Sequence, residues 1–169
     1  MRTRTVKATD ILKVIVLLLT LGWMLFIFYL SSETADESTA LSDRIAEAIY
    51  RVVIPDFEEL NPEERSIYLE AAAAPVRKSA HFLEFTILGA LMCWDLTLWT
   101  SLDRKTIFFA AAAAGALYAA SDEIHQLFVQ ERSGQLSDVL IDTAGVILGA
   151  FFVTLLYKKK RAGSTSNIT

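Results

Sequence analysis

Ten residues carry side chains and spacings that suit chemistry: Lys78, His81, Glu84, Asp122, Glu123, His125, Gln126, Arg132, Asp138 and Asp142. Lys78, His81 and Glu84 are successive i, i+3 neighbours, so on a helix they share roughly one face. Asp138 and Asp142 stand one helical turn apart, and both histidines of the chain belong to the set. Three uses fit. Asp122 and His125, with His81 and Asp142 supplied from neighbouring helices, make a mixed nitrogen and oxygen set suited to zinc or another divalent metal. The candidate ligands are His81, Asp122 and His125. Lys78 and Arg132 could hold a phosphate, Arg through its planar fork and Lys as a point charge. A histidine beside a carboxylate could serve as general acid or base on a lipid-linked substrate. The competing reading is mutual neutralisation: Lys78 and Arg132 pair with Asp138, Asp142 or Glu123, while His125 and Gln126 satisfy backbone groups at a helix end. No catalytic role and no particular cofactor is fixed by these residues.

Their positions matter because the chain around them is built for a membrane. Of 169 residues 53% are apolar and 21% charged, and the mean hydropathy is +0.39. Such a composition excludes a disordered chain, and the single cysteine, Cys93, excludes an intramolecular disulfide scaffold. The apolar residues fall in blocks. Ile11 to Leu30 is a run of 20, interrupted only by Lys13, Thr20 and Gly22, the length a helix needs to cross about 30 Å of hydrocarbon. Phe82 to Thr100, Thr106 to Ser121 and Leu136 to Tyr157 are comparable. The third of these four blocks is short and Ala-rich, and crosses only if Asp122 to Gln130 continues the helix. The first block follows Arg2, Arg4 and Lys7 as a secretory signal would, but it is longer than a signal core and precedes three more spans, which favours an uncleaved helix.

The expected architecture is all-α: a polytopic four-transmembrane-helix bundle with spans at about 11–31, 76–100, 105–129 and 136–157. Residues 1–161 form one membrane domain, with an acidic extracellular insertion at 32–75 and a disordered tail at 162–169. Nine Lys and Arg next to helix ends (Arg2, Arg4, Lys7, Arg104, Lys105, Lys158, Lys159, Lys160, Arg161) fall on one side, joined by Lys13. Six (Arg44, Arg51, Arg65, Arg77, Lys78, Arg132) fall on the other. The positive-inside rule then puts both termini in the cytoplasm of a multi-pass cell-membrane protein. Ser31 to Glu70 holds eleven Asp and Glu against three Arg, a balance of −8, as a solvated face would. Within it Leu41, Ile45, Ala48, Ile49, Val52 and Val53 recur at helical spacing, as in an amphipathic helix on the outer leaflet or against the bundle. A second external helix starts at Asn61 with Pro62 at its first position, and Pro75 opens the second span or kinks the joint before it.

With that topology the ten polar residues converge at the extracellular mouth. Ionisable groups there are costly, and a purely structural bundle has little need of so many in one place. Several other features point to packing: Gly145 and Gly149, Ala110 to Ala114 with Gly115, buried Cys93, and the tryptophans Trp23, Trp94 and Trp99. Asp95, toward the cytoplasmic end, suits pairing or snorkelling. No GxGxxG, P-loop, HExxH or CxxC occurs, and the basic residues hug membrane ends, so neither nucleotide nor nucleic acid is an expected partner.

Three stretches carry a family resemblance: Phe26-Ile-Phe-Tyr-Leu-Ser-Ser32, Arg77-Lys-Ser-Ala-His-Phe-Leu-Glu-Phe85, and Asp122-Glu-Ile-His-Gln126 followed by Arg132, Asp138, Asp142 and Gly145. Through them the sequence resembles the VanZ-like family, named after a teicoplanin-resistance accessory protein. Two positions depart from the family pattern: Phe85 stands where Tyr is common, and Gln130-Glu131 where Pro-Gly often precedes the arginine. The resemblance implies a small polytopic bacterial membrane protein with a role in glycopeptide resistance or cell-envelope lipid handling. The expected partners are membrane lipids and an anionic lipid-linked envelope precursor, such as a teichoic-acid precursor. The alternatives are a metal-dependent membrane hydrolase or transferase acting on a lipid-linked phosphate, and a non-catalytic scaffold.

Overall fold

The first apolar run folds as α1 (Ala8–Ser31), and each of the next three helices starts on a local cap. In the computed structural model, which describes residues 7–156, α2 (Ala35–Val53) begins at Thr34. Its hydroxyl accepts the Glu37 N–H, while the Glu37 carboxylate accepts the Thr34 N–H. Asn61 and Glu64 repeat this reciprocal cap at the start of α3 (Pro62–Trp99), with Pro62 in the first turn. Asp103 accepts the N–H groups of Lys105 and Thr106 to open α4 (Arg104–Gln126). These bonds, with the Thr106 hydroxyl foremost, hold the Asp103 carboxyl below its ordinary range. The last helix is α5 (Leu136–Leu156), and a single 3-10 turn, Phe57–Glu59, links α2 to α3. No strand occurs among the described residues. Arg2, Arg4, the basic run Lys158 to Arg161 and the tail at 162–169 lie outside them.

Four helices, α1, α3, α4 and α5, are long and apolar enough to cross a membrane. Large apolar side chains such as Leu18, Leu25, Phe109, Leu117 and Leu156 remain exposed around the bundle, where acyl chains cover them. The protein is thus an all-helical, multi-span membrane protein, as its sequence pattern requires.

Two boundaries differ from the sequence expectation. α4 stops at Gln126 rather than 129, because the Leu127 N–H turns back to the Ile124 carbonyl and the chain leaves the helix. More consequentially, Pro75 neither starts nor ends a helix: α3 runs through it without a break for 38 residues. Proline removes one intrahelical bond and crowds the carbonyl four residues earlier. Here the four alanines Ala71–Ala74 before it are strong helix formers, and Ala72 is buried. At 1.5 Å per residue α3 is about 57 Å long, nearly twice the hydrocarbon thickness. Its N-terminal half therefore extends beyond the spans.

α2 packs on that extension, and the face it uses is not the apolar one. Ser38, Ser42 and Ala46, each four residues after the last, are buried, and small side chains at this spacing let two helix backbones approach closely. Leu41, Ile45, Ile49, Val52 and Val53 stay exposed. The far end of this hairpin is pinned by Phe57, 2% exposed, whose ring lies 5.6 Å from Tyr50 and 6.2 Å from Tyr68. Burying a phenylalanine stabilises by about 2 kcal/mol.

Within the bundle, α3 and α5 make the most extensive contact. A Cβ at Gly145 or Gly149 would overlap the backbone carbonyl of Phe82 or Thr86, and one at Gly89 the carbonyl of Val146. The two backbones are in contact, and only glycine fits between them. Around this seam lie Ile27, Phe85, Leu88, Ala119 and Val146, and a second cluster of Cys93, Ile107, Ala111 and Ala150. Phe85 is wholly buried beside Tyr118, so the missing hydroxyl leaves no polar group to satisfy in that core.

Candidate functional site

All four spans contribute to one polar end of the bundle. α1 ends there at Ser31, α4 ends at Gln126, α5 begins at Leu136, and Lys78, His81 and Glu84 lie where α3 enters the spans. The Asp122 carboxylate is 2% exposed. Its Oδ2 accepts the Ser31 hydroxyl at 2.7 Å and the Gln126 amide at 3.2 Å, so helices α1 and α4 together fix its plane. Its Oδ1 has no hydrogen-bond partner, and neither oxygen of Asp142, itself 1% exposed, has one either. One ligand atom each from His81, Asp122 and Asp142 fall within 4.8 Å of one another.

Beside this trio is a cavity of about 80 Å³, lined on its charged side by Arg77, Lys78, His81, Arg132, Asp138 and Asp142. Ala35, in the first turn of α2, and Glu131 also line it. Lys78 Nζ pairs with Asp138. Arg77 and Arg132 have no carboxylate within ion-pair distance among the described residues. Burial pushes the Arg132 guanidinium below its ordinary range and the nearby Arg77 charge pushes it further, against the pull of Asp122, Glu33 and Glu123. A smaller cavity of about 50 Å³ shares Arg77, His81 and Arg132, adds Glu84 and Glu33, and is covered by Ser38, Leu41 and Ser42 of α2. The acidic insertion therefore roofs the polar end.

Eight of the ten residues read from sequence are thus brought around the trio and its cavities: Lys78, His81, Glu84, Asp122, Gln126, Arg132, Asp138 and Asp142. The other two line neither cavity. Glu123 is buried and accepts the Gln135 N–H, which ties down the connection 127–135. His125 stacks on Phe28 of α1 at 4.3 Å, with Nε2 3.1 Å from the Ser32 hydroxyl. In the proposed ligand set of His81, Asp122 and His125, the geometry thus replaces His125 by Asp142. The reason is tertiary: the end of α1 meets both residues, Ser31 at Asp122 and Phe28 with Ser32 at His125, but only Asp122 also comes together with His81 of α3 and Asp142 of α5. Asp95 lies at the opposite end, where it accepts the Thr20 hydroxyl. The nearby Lys13 ammonium sits over the Trp99 ring, 5.3 Å from its centroid.

Sequence reasoning missed Arg77 and Ser31 as members of the site. Arg77 stands four residues before His81, a helical spacing that puts both on one face, and that signal was available. Ser31 gives no such signal, because its partner is 91 residues away. The Gln130-Glu131 departure also has a structural counterpart: Glu131 adopts a left-handed conformation, φ 61°, as glycine does readily at the corresponding place in the family pattern.

No curated protein and no solved structure matches the chain. A family model, described as VanZ/LLP1, matches residues 16–157, from the middle of α1 past the end of α5. That match spans every element of the polar end and nearly the whole sequence, and the chain belongs to the VanZ/LLP1 family.

Proposed function

We propose that the polar end faces the outside of the cell membrane and binds the phosphate headgroup of a lipid-linked cell-envelope component, such as a teichoic-acid precursor, with a consequent role in glycopeptide (teicoplanin) resistance. The observation that carries this reading is the pair of arginines, Arg77 and Arg132, which line one cavity with no carboxylate partner among the described residues. Two like charges brought together in a half-buried site repel each other, and a phosphate relieves that repulsion through bidentate bonds. Lys78, neutralised by Asp138, adds a donor without adding net charge. The cavity suits a headgroup alone, leaving an isoprenoid or acyl chain to run along the exposed apolar flanks of the spans. The outward orientation rests on the distribution of Lys and Arg between the two ends.

Thermal stability of the detergent-purified protein in the presence of isoprenoid phosphates, compared with zwitterionic phospholipids, tests the reading. Selective stabilisation by the phosphates, lost in Arg132→Ala and Arg77→Ala, is the expected result. Equal, small effects of all lipids would leave a scaffold without a ligand. In cells producing normal amounts of the folded variants, Arg132→Ala lowers teicoplanin resistance toward that of cells lacking the protein. Maleimide labelling of a cysteine placed at Ser137 from outside intact cells checks the orientation.

A further inference from the structure

The geometry points to a divalent transition-metal site formed by His81, Asp122 and Asp142, with its open coordination position facing the Arg77–Arg132 cavity. It adjoins the anion site, since His81 and Asp142 line the same cavity as Arg77 and Arg132, but it stands without it. Three buried carboxylate oxygens, Asp122 Oδ1 and both of Asp142, have no hydrogen-bond partner. A buried carboxylate left in that state costs several kcal/mol, and two of them side by side cost more, unless a cation or a proton lies between. The third member of the group is an imidazole, which gives a nitrogen and two oxygens from three different turns of three different helices.

That donor set selects against magnesium and calcium, which take oxygen ligands alone, and suits zinc and its neighbours. Around one zinc at bonds of about 2.0 Å, tetrahedral ligands stand about 3.3 Å apart. Ligand atoms already within 4.8 Å of one another reach that spacing by small side-chain rotations. Sites that keep three protein ligands leave a fourth position for water or substrate, and here both His81 and Asp142 line the adjacent cavity. Orientation is built in as well. Ser31 and Gln126 hold Asp122 by its other oxygen, the kind of outer contact that commonly fixes a metal-binding carboxylate. His125, whose ring is stacked on Phe28, takes no part.

The full chain, purified in detergent, stripped with a chelator and dialysed into phosphate-free buffer, is titrated with Zn²⁺ by calorimetry and with Co²⁺ by visible absorption. One equivalent of metal, a Co²⁺ spectrum of a four- or five-coordinate centre, and a rise in Tm with Zn²⁺ are expected. Asp142→Asn, which keeps size and shape, abolishes the Co²⁺ band, and His125→Ala keeps it. Ser31→Ala weakens binding about tenfold. Failure of the unaltered chain to bind either metal would overturn the site without recourse to any variant, and would mean that a shared proton alone reconciles the two carboxylates. Binding that survives Asp142→Asn, or that is lost in His125→Ala in a variant that remains monodisperse, overturns it equally. The anion reading is scored separately by Arg132→Ala, which leaves the Co²⁺ spectrum in place.

Discussion

α5 is one helix put to two uses. Its first two turns bring Asp138 and Asp142 to a polar, partly hollow end, with two carboxylate oxygens left without partners. Its next two turns bring Gly145 and Gly149 against the α3 backbone, so closely that a single added carbon would not fit. The first stretch contains groups that each cost stability to bury, and the second is where the two most extensively packed helices touch. In a membrane, where apolar side chains gain nothing by leaving lipid for protein, close backbone packing is a main source of helix association. The polar end therefore takes its geometry from the glycine seam, and adds to it polar links between helices such as Ser31 to Asp122 and Lys78 to Asp138.

The sharpest way to break this comparison is to disturb the seam. Gly149→Val places carbon where the Thr86 carbonyl oxygen and the Ala90 amide already stand. Both are backbone atoms that no rotamer change can move aside, so the cost lies at or above about 3 kcal/mol. Loss of monodisperse protein in detergent, by size exclusion and circular dichroism, is the expected outcome. A well-folded Gly149→Val would mean that the seam is not what holds α3 to α5.

At the polar end, a substitution in the connection that leads into α5 should behave in the opposite way. Arg132→Ala removes a cation with no carboxylate within ion-pair distance among the described residues, and so breaks no direct ion pair. Its Tm should stay close to that of the unaltered chain, while affinity for an isoprenoid phosphate falls about tenfold or more, the worth of one charged hydrogen-bonding group. A large drop in Tm with unchanged lipid affinity would make the cluster structural and erase the contrast between the two stretches.

Much of this division was readable from sequence. The spans, the glycines and the convergence of charge at one end follow from block hydropathy and helical spacing, which are local properties. Three features were not readable. Pro75 reads as a boundary, but it is carried through by the alanines before it and by the packing of α2 along the N-terminal part of α3, where Ala72 is buried. The obvious apolar stripe of α2 is the exposed one, because Ser38, Ser42 and Ala46 permit closer approach to α3 than leucine or isoleucine would. His125 and Asp122 share a helix end and both touch the end of α1, yet only Asp122 also meets His81 and Asp142. In each case the deciding contact is with a segment distant in sequence, and no window of neighbouring residues contains it.

The insertion that roofs the polar end adds a smaller test. The Thr34 hydroxyl and the Glu37 carboxylate cap α2 reciprocally, and Thr34→Ala should destabilise by about 1 kcal/mol. Because α2 covers the smaller cavity, hydrogen exchange in Ser38 to Ala46 should quicken more than exchange in α5, whose seam lies elsewhere. Uniform quickening throughout the bundle would mean that α2 is part of the cooperative core.

The smallest effect expected is a gain. Glu131 sits at φ 61° in the connection between α4 and α5, a left-handed conformation that costs a residue with a Cβ about 1–2 kcal/mol. Glycine avoids that cost and forfeits about 0.5–1 kcal/mol of backbone entropy instead. Glu131→Gly should therefore raise stability by about 0.5 kcal/mol. The carboxylate also lines the cavity with Arg77 and Arg132, so its removal takes a negative charge from beside the anion and should leave phosphate affinity equal or higher. Among the described residues two non-glycine residues have positive φ, Glu131 beside the cavity and Asp56 in the turn between α2 and α3, and neither lies in the packing seam. A Glu131→Gly chain that is less stable would show that the connection is held by the Glu131 side chain, and that its left-handed conformation carries no net cost there.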